Sequence, residues 1–130
     1  MTLNRFILLL CALLLILTAC SGGGGGGSPE KSVEEYLRTR TTGDENKIVA
    51  LACKARESDA RNEAASFGAM SPVIENLTCT AGEKDGEFTI VSCVGKMVTT
   101  YAGESRNWDL GARQYKSLQE DGAWKYCGVK

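Results

Sequence analysis

The chain has 130 residues and a formal net charge of −1 at pH 7, with 15 Lys and Arg against 16 Asp and Glu. A chain of this length accommodates one domain plus a targeting segment, and a charge so near zero lacks the basic surface that nucleic-acid binding requires. Histidine is absent, which removes the commonest general base and the commonest metal ligand. Composition therefore argues against nucleic-acid binding and against histidine-based catalysis.

The N-terminal segment is typical of an export signal. One positive charge, Arg5, precedes an apolar run at 6–17, which is shorter than the roughly 20 residues of a stable membrane-spanning helix. The run ends in Leu17-Thr18-Ala19-Cys20, which resembles the lipobox of bacterial lipoproteins. In that family the cysteine is acylated and a peptidase cleaves before it. The resemblance implies a signal peptide at 1–19 and a protein anchored through Cys20 to the extracytoplasmic face of the cell membrane.

A glycine-rich segment follows the predicted lipidation site. Ser21, the glycines at 22–27 and Ser28 have almost no side chain to bury, so residues 20–28 are expected to form a flexible tether. A phosphate-binding glycine loop would need a preceding strand and a following Lys-Ser or Lys-Thr pair, and neither is present. The folded domain is therefore expected at 29–130.

The first part of that domain is predicted to be helical. Ser28 is a good N-cap and Pro29 a good first helical residue; Asp44 and Ser58 each precede a further apolar pattern, the last of them at 59–67. The apolar residues at helical spacing are Val33, Tyr36, Leu37 and the aliphatic part of Arg40; then Ile48, Leu51, Ala52 and Ala55; then Ala60, Ala64 and Phe67. Two to three N-terminal helices are expected.

The remainder of the domain is predicted to be a β-sheet. From residue 72 onward the apolar residues alternate and β-branched residues become frequent. The pattern predicts four strands, at about 73–81, 88–101, 107–118 and 124–129, joined by turns that contain glycine. Helices followed by a meander of this kind predict an α+β domain with the helices packed on a four-stranded antiparallel sheet.

Four cysteines remain once Cys11 leaves with the signal peptide and Cys20 is acylated: Cys53, Cys79, Cys93 and Cys127. An even number in a small exported domain indicates two disulfides, and the wide spacing is unlike that of a zinc site. Three pairings are possible. A tight two-residue turn would put Cys79 and Cys93 on opposite faces of their hairpin, so their pairing requires a bulge or a longer loop. We expect that pairing, with Cys53 bonded to Cys127.

Three short motifs carry a second resemblance. They are the run Val33-Glu34-Glu35-Tyr36-Leu37, the helix start Gly43-Asp44 and the hairpin from Asp121-Gly122 to Trp124. Together with the element order, they resemble the nuclear transport factor two-like, or cystatin-like, α+β domains of small bacterial lipoproteins. The resemblance implies that the sheet of residues 29–130 is curved around the helices as a cone, which members use as a ligand pocket, as an active site, or not at all.

Five residues are candidates for the interior or rim of such a cone: Tyr36, Tyr101, Trp108, Asp109 and Tyr115. Enzymes of the family tend to place Asp, His or Tyr inside the cone, and this chain departs from them by having no histidine. Aromatic side chains on strands also serve as core residues or cross-strand partners, and an Asp beside Trp108 also suits a solvated face.

Three functional classes are compatible with these features. We expect a membrane-anchored, non-catalytic binding module for a small ligand or a cell-envelope partner. A structural or interaction lipoprotein with no ligand pocket is the alternative. An enzyme is the least favoured class, because the sequence shows no nucleophile–base pair, metal cluster or cofactor loop. We therefore predict no catalytic residue, no metal and no cofactor, and the sequence does not indicate an oligomeric state.

Overall fold

The computed structural model describes residues 27–130. The predicted signal peptide, the predicted lipidation site Cys20 and most of the glycine tether lie outside the described residues. The helices are α1 (Pro29–Arg40), α2 (Glu45–Leu51) and α3 (Glu57–Gly68). The strands are β1 (Val73–Asp85), β2 (Phe88–Tyr101), β3 (Glu104–Asp109), β4 (Gln114–Glu120) and β5 (Ala123–Val129). Short 3-10 turns lie at Lys54–Arg56 and Leu110–Ala112.

The starts of the first two helices follow from their capping residues. The Ser28 side chain accepts a hydrogen bond from the Lys31 backbone N–H, and the Asp44 side chain accepts one from that of Lys47 at 3.0 Å. Each bond satisfies a backbone donor that has no partner within its helix. The predicted third helix begins earlier than expected: α3 starts at Glu57, and no side chain caps it.

The sheet has five antiparallel strands rather than the four predicted. The predicted strand at 107–118 is divided by the 3-10 turn at Leu110–Ala112 into β3 and β4. The division occurs because the Asp109 carboxylate accepts a hydrogen bond from the Gly111 N–H at 2.8 Å, a local turn that competes with strand pairing. The α+β class, with three helices packed on the sheet, is confirmed.

One long strand organises this open sheet. The order is β1-β2-β4-β5, and β3 also pairs with β2. The first half of β2, Thr89 to Ser92, pairs with β4, whereas its second half, Lys96 to Tyr101, pairs with β3. The chain therefore leaves the edge of β2 after β3, passes through the 3-10 turn and returns to the same edge as β4.

The Cys79–Cys93 disulfide confirms the expected pairing and shows how the register permits it. The two residues are directly opposed on β1 and β2, although Asp85 and Phe88 close the hairpin with a two-residue turn. An irregularity between Ala81 and Lys84 inserts one extra residue in β1 and restores the common face. This bulge is the one-residue shift in register that the pairing of Cys79 with Cys93 requires.

The second disulfide joins Cys53 to Cys127 and so ties the segment after α2 to β5. Both residues are buried, and the Cys53 N–H donates a hydrogen bond to the Tyr126 carbonyl at 2.8 Å. The covalent bond and the hydrogen bond hold the same short stretch of β5. Both predicted disulfides are therefore present.

The main core lies between α1 and the sheet. Val33, Tyr36 and Leu37 on α1 are all 1 % exposed or less, as the helical spacing predicted. The helices and strands contribute Ile48, Leu51, Ala60, Ala64, Leu77, Val91, Met97, Leu110, Tyr115 and Tyr126 to the same cluster. Among residues 27–130, no helix is both long enough and apolar enough to span a membrane.

Candidate functional site

A pocket of about 350 Å³ opens between the C-terminal ends of α1 and α3 and the sheet. Its volume falls within the range of small-molecule sites, roughly 300 to 1,000 Å³. The lining residues come from almost every element: Arg40, Phe67, Met70, Met97, Thr99, Trp108, Asp109, Leu110, Arg113, Tyr115, Tyr126 and Val129. Most of them are aromatic or aliphatic, with a few charged groups, which is the composition of a ligand-binding cleft.

The inner wall of the pocket is built from stacked tyrosines. The ring of Tyr126 on β5 lies against that of Tyr36 on α1, with centroids 3.8 Å apart and planes 13° apart. Tyr115 on β4 is tilted against Tyr126 at 6.4 Å, and its hydroxyl donates to the Leu110 carbonyl at 2.8 Å. Burial and stacking fix these rings, so the wall is preformed rather than assembled on binding.

Burial raises the pKa of all three tyrosine hydroxyls around this wall. It raises that of Tyr126 to about 12, with a smaller contribution from the Glu63 carboxylate. Burial and the same carboxylate raise the pKa of Tyr36, which donates to Glu63 Oε2 at 3.2 Å. Burial also raises the pKa of Tyr115, although the guanidinium groups of Arg40 and Arg113 oppose the shift. All three are neutral phenols at neutral pH.

The most unusual polar group of the pocket is Arg40, the last residue of α1. Its side chain is only 13 % exposed, and its Nε is buried with no hydrogen-bond partner among residues 27–130. Its ion pair with Glu63 spans 3.6 Å, longer than the roughly 2.7 to 2.9 Å of a charge-assisted hydrogen bond. Phe67 lies 4.9 Å from the guanidinium carbon. The pocket therefore holds a mostly buried cation with spare hydrogen-bond donors.

The mouth of the pocket carries exposed groups from the β3–β4 connection. Trp108 is 51 % exposed, and its indole N–H donates to the Thr99 hydroxyl at 3.0 Å. Asp109 is held by its hydrogen bond to the Gly111 N–H, and Arg113 follows the 3-10 turn. Both charged side chains line the pocket and are exposed to solvent. A ligand at this position would contact an aromatic ring and two opposite charges.

The structure places three of the five predicted pocket residues together. Trp108, Asp109 and Tyr115 line the pocket. Tyr36 lies one layer deeper, behind Tyr126, and belongs to the core rather than to the lining. Tyr101, at the end of β2, is 75 % exposed and lies outside the pocket.

Sequence reasoning found Asp109 but missed Arg40, Arg113 and the wall residue Tyr126, which also define the pocket. Arg40 falls on the apolar stripe of α1, where a cation among Val33, Tyr36 and Leu37 is a signal of a buried charge. Tyr126 precedes the buried Cys127 on β5, and nothing in its sequence neighbours distinguishes a wall residue from a core residue. In the described part of the chain, no group of three or more Cys, Asp and Glu side chains is arranged to bind a metal ion.

Comparison with known proteins shows the fold alone. No protein-family model matches the chain, and no curated protein matches it. Among solved structures, the crystal structure of the helical cell shape determining protein Pgp2 from Campylobacter jejuni is similar, with a TM-score of 0.51 and 7 % sequence identity. The similarity covers 77 % of this chain but 38 % of that protein. A bacterial cell-shape protein therefore contains an α+β unit of this kind.

Proposed function

We propose that the chain is a membrane-anchored bacterial lipoprotein whose α+β domain, of the nuclear transport factor two-like type, binds a small ligand. The observation that carries this proposal is the pocket of about 350 Å³ with its fixed aromatic wall. A domain without a binding role gains nothing from keeping Tyr126 and Tyr115 beside an open cavity, because filling such a space stabilises a protein.

Extracytoplasmic anchoring has separate support. The lipobox-like tetrad that ends at Cys20 follows a charged start and an apolar run, in the order that lipoprotein signals show. The two disulfides, Cys53–Cys127 and Cys79–Cys93, suit an oxidising compartment outside the cytoplasm. Similarity to part of a bacterial cell-shape protein is compatible with a role in the cell envelope.

The binding role is tested by calorimetric titration of the full chain, in lipid nanodiscs, with the neutral aromatic probe phenylpropanamide. Val129 lines the pocket and is 38 % exposed, so Val129→Phe narrows the pocket without disturbing the core. Val94 is 63 % exposed on β2 and does not line the pocket, which makes Val94→Phe the matched control. We expect affinity to fall at least about fivefold for Val129→Phe only. Equal binding by both variants would refute the pocket as the site.

Anchoring is tested at Cys20. The Cys20→Ser variant is expected to remain an unprocessed precursor without lipid label, because serine lacks the thiol that is alkylated. Matched expression of Cys11→Ser, which lies in the predicted signal peptide, should leave labelling and cleavage intact. Persistent lipid label on Cys20→Ser would contradict the lipoprotein assignment.

A second candidate function is an interaction with an envelope protein through β3. All six residues of β3 are exposed, and the strand pairs only with β2 within the described residues. Such an edge offers free backbone donors and acceptors to an added strand. Asn107→Pro would remove one backbone donor from β3, and loss of a cross-linked envelope protein in that variant, with phenylpropanamide binding unchanged, would favour this candidate.

A further inference from the structure

The pocket contains a charged group whose hydrogen-bonding capacity the protein itself leaves largely unused. A guanidinium carries five N–H donors, yet the Arg40 Nε has no partner and its Glu63 ion pair is long. Leaving a buried donor unsatisfied is costly, so such groups are rare in folded proteins; the Arg56 Nε, outside the pocket, is a second one among the described residues. Because the Arg40 Nε itself is sealed from solvent, an acceptor in the pocket would meet the accessible edge of the guanidinium, whose ion pair with Glu63 is long.

Electrostatics around the pocket favour an anion over a cation. Two guanidinium groups, Arg40 and Arg113, line the pocket against one lining carboxylate, Asp109; the Glu63 carboxylate, which pairs with Arg40, is not among the lining residues. Both guanidinium groups and, with the opposite sign, the Asp109 carboxylate act on the Tyr115 hydroxyl, so all three charges lie around the same part of the wall. The Asp109 carboxylate has an oxygen engaged by the Gly111 N–H, so its charge is partly compensated locally.

The remainder of the lining accepts an apolar body. Met97 and Tyr126 are buried at 4 % and 3 % exposure, and Phe67, Met70 and Trp108 close the sides. A ligand that is wholly polar would lose its hydration against these side chains without compensation. The arrangement therefore suits a molecule with an apolar part and one charged end.

We propose that the pocket binds a small amphiphilic carboxylate, with its apolar part against Tyr126, Met97 and Trp108 and its carboxylate against Arg40. Planar carboxylates match the guanidinium fork in two parallel hydrogen bonds, which makes arginine the preferred partner for this group. Arg113 strengthens the positive field at the mouth. This inference rests on the proposed ligand-binding function and specifies the chemistry of that ligand.

The experiment compares two probes of equal shape, phenylpropanoate and its neutral amide, phenylpropanamide. The full chain in nanodiscs is titrated with each while tryptophan fluorescence is recorded, since Trp108 lines the pocket. We expect the carboxylate to bind about tenfold more tightly than the amide, the difference that one charge-assisted interaction supplies. Trp124→Phe removes the other tryptophan, which does not line the pocket, and should leave the fluorescence change in place, which assigns the signal to Trp108.

Three variants locate the carboxylate. Arg40→Met keeps an unbranched apolar stem and removes the guanidinium with its charge, so the carboxylate should lose its advantage over the amide. Arg113→Gln alters only an exposed position and should reduce the advantage about threefold, which keeps the test informative where Arg40→Met fails to fold. Arg61→Gln, a matched loss of one exposed guanidinium outside the pocket, should change nothing.

The outcomes separate the two proposals. Equal binding of both probes to the unmodified chain would refute the carboxylate preference and retain a ligand pocket. A carboxylate advantage that survives both Arg40→Met and Arg113→Gln would refute the assignment to these groups. Absence of binding by either probe would overturn the proposed function along with the inference.

Discussion

Opening the Cys53–Cys127 disulfide gives the most quantitative test of the fold. The bond closes a loop with a sequence separation of 74 residues, whereas Cys79–Cys93 closes one of 14. On the chain-entropy account, the two bonds stabilise the fold by about 4.5 and about 3 kcal/mol, before any strain is considered. Both double variants should lower the free energy of unfolding. The loss should be larger for Cys53→Ala/Cys127→Ala than for Cys79→Ala/Cys93→Ala.

The two loops are nested, so the effect of one disulfide on the contribution of the other can also be calculated. Because 79–93 lies within the loop closed by Cys53 and Cys127, the inner bond shortens the outer loop of the unfolded chain to roughly 60 residues. Loop entropy depends only on the logarithm of length, so the inner bond changes the contribution of the outer bond by about 0.2 kcal/mol. The losses from removing both bonds should therefore be nearly additive.

Equilibrium unfolding in urea under oxidising conditions measures the loss of stability for each double variant and for the variant that lacks both bonds. Addition of reductant should lower the stability of the unmodified chain to that of the variant with all four cysteines replaced by alanine, which controls for side-chain packing. A greater loss from the Cys79/Cys93 variant than from the Cys53/Cys127 variant would refute the loop-entropy reasoning. It would show instead that local packing along β1 and β2 dominates.

Three further predictions concern the tyrosine wall, the β1 register and the pocket mouth. Since the pKa of Tyr126 is raised from 10.0 to about 12 in the folded state, its contribution is complete below pH 10 and is lost as pH rises toward 12. The expected loss is on the order of 3 kcal/mol, and Tyr126→Phe should reduce the slope of unfolding free energy against pH in denaturant titrations; an unchanged slope would contradict the shift. A Cβ on Gly95 would lie 2.8 Å from the Asn76 and Glu75 carbonyl oxygens, so Gly95→Ala should destabilise the fold by about 2 to 4 kcal/mol. Gly103 also has a positive φ, +80° against +119° at Gly95, but open space around it, so Gly103→Ala should cost about 1 kcal/mol in the same urea assay; equal losses would argue against the carbonyl contacts as the source of the cost. Asp109→Asn keeps the acceptor for the Gly111 N–H while removing a negative charge, so calorimetry should show phenylpropanoate bound about threefold more tightly, and an effect on phenylpropanamide as well would argue against electrostatics.

The spacing of apolar residues predicted which helices and strands form better than it predicted where they end. Val33, Tyr36 and Leu37 occur at helical spacing because one face of α1 packs on the sheet, and the structure buries all three. The split of the third predicted strand escaped notice because Asp109 and Gly111 look like ordinary strand and turn residues in sequence. Only the hydrogen bond between them, closed at 2.8 Å, ends β3 there.

The pocket was only partly predictable for a different reason. Trp108 and Tyr115 are large aromatic residues on strands, which the sequence displays directly. Whether such a ring lines a cavity or fills the core depends on the packing between elements, and this is why Tyr36 proved to lie behind the wall. The sequence pattern predicts only that Arg40 lies on α1 with its aliphatic part buried. Its Nε loses any partner among the described residues because α1 and α3 pack against the sheet around it.

The return of the chain to one edge of β2 makes a single corner responsible for the shape of the pocket mouth. Trp108, Leu110 and Tyr115 reach the pocket from the excursion between β3 and β4, while the helices and both disulfides lie elsewhere in the chain. Changes at the exposed positions 111–113 would remodel the mouth, whereas Leu110 and Tyr115 on either side also belong to the core. The exposed part of this corner is therefore the place at which the pocket mouth can be redesigned.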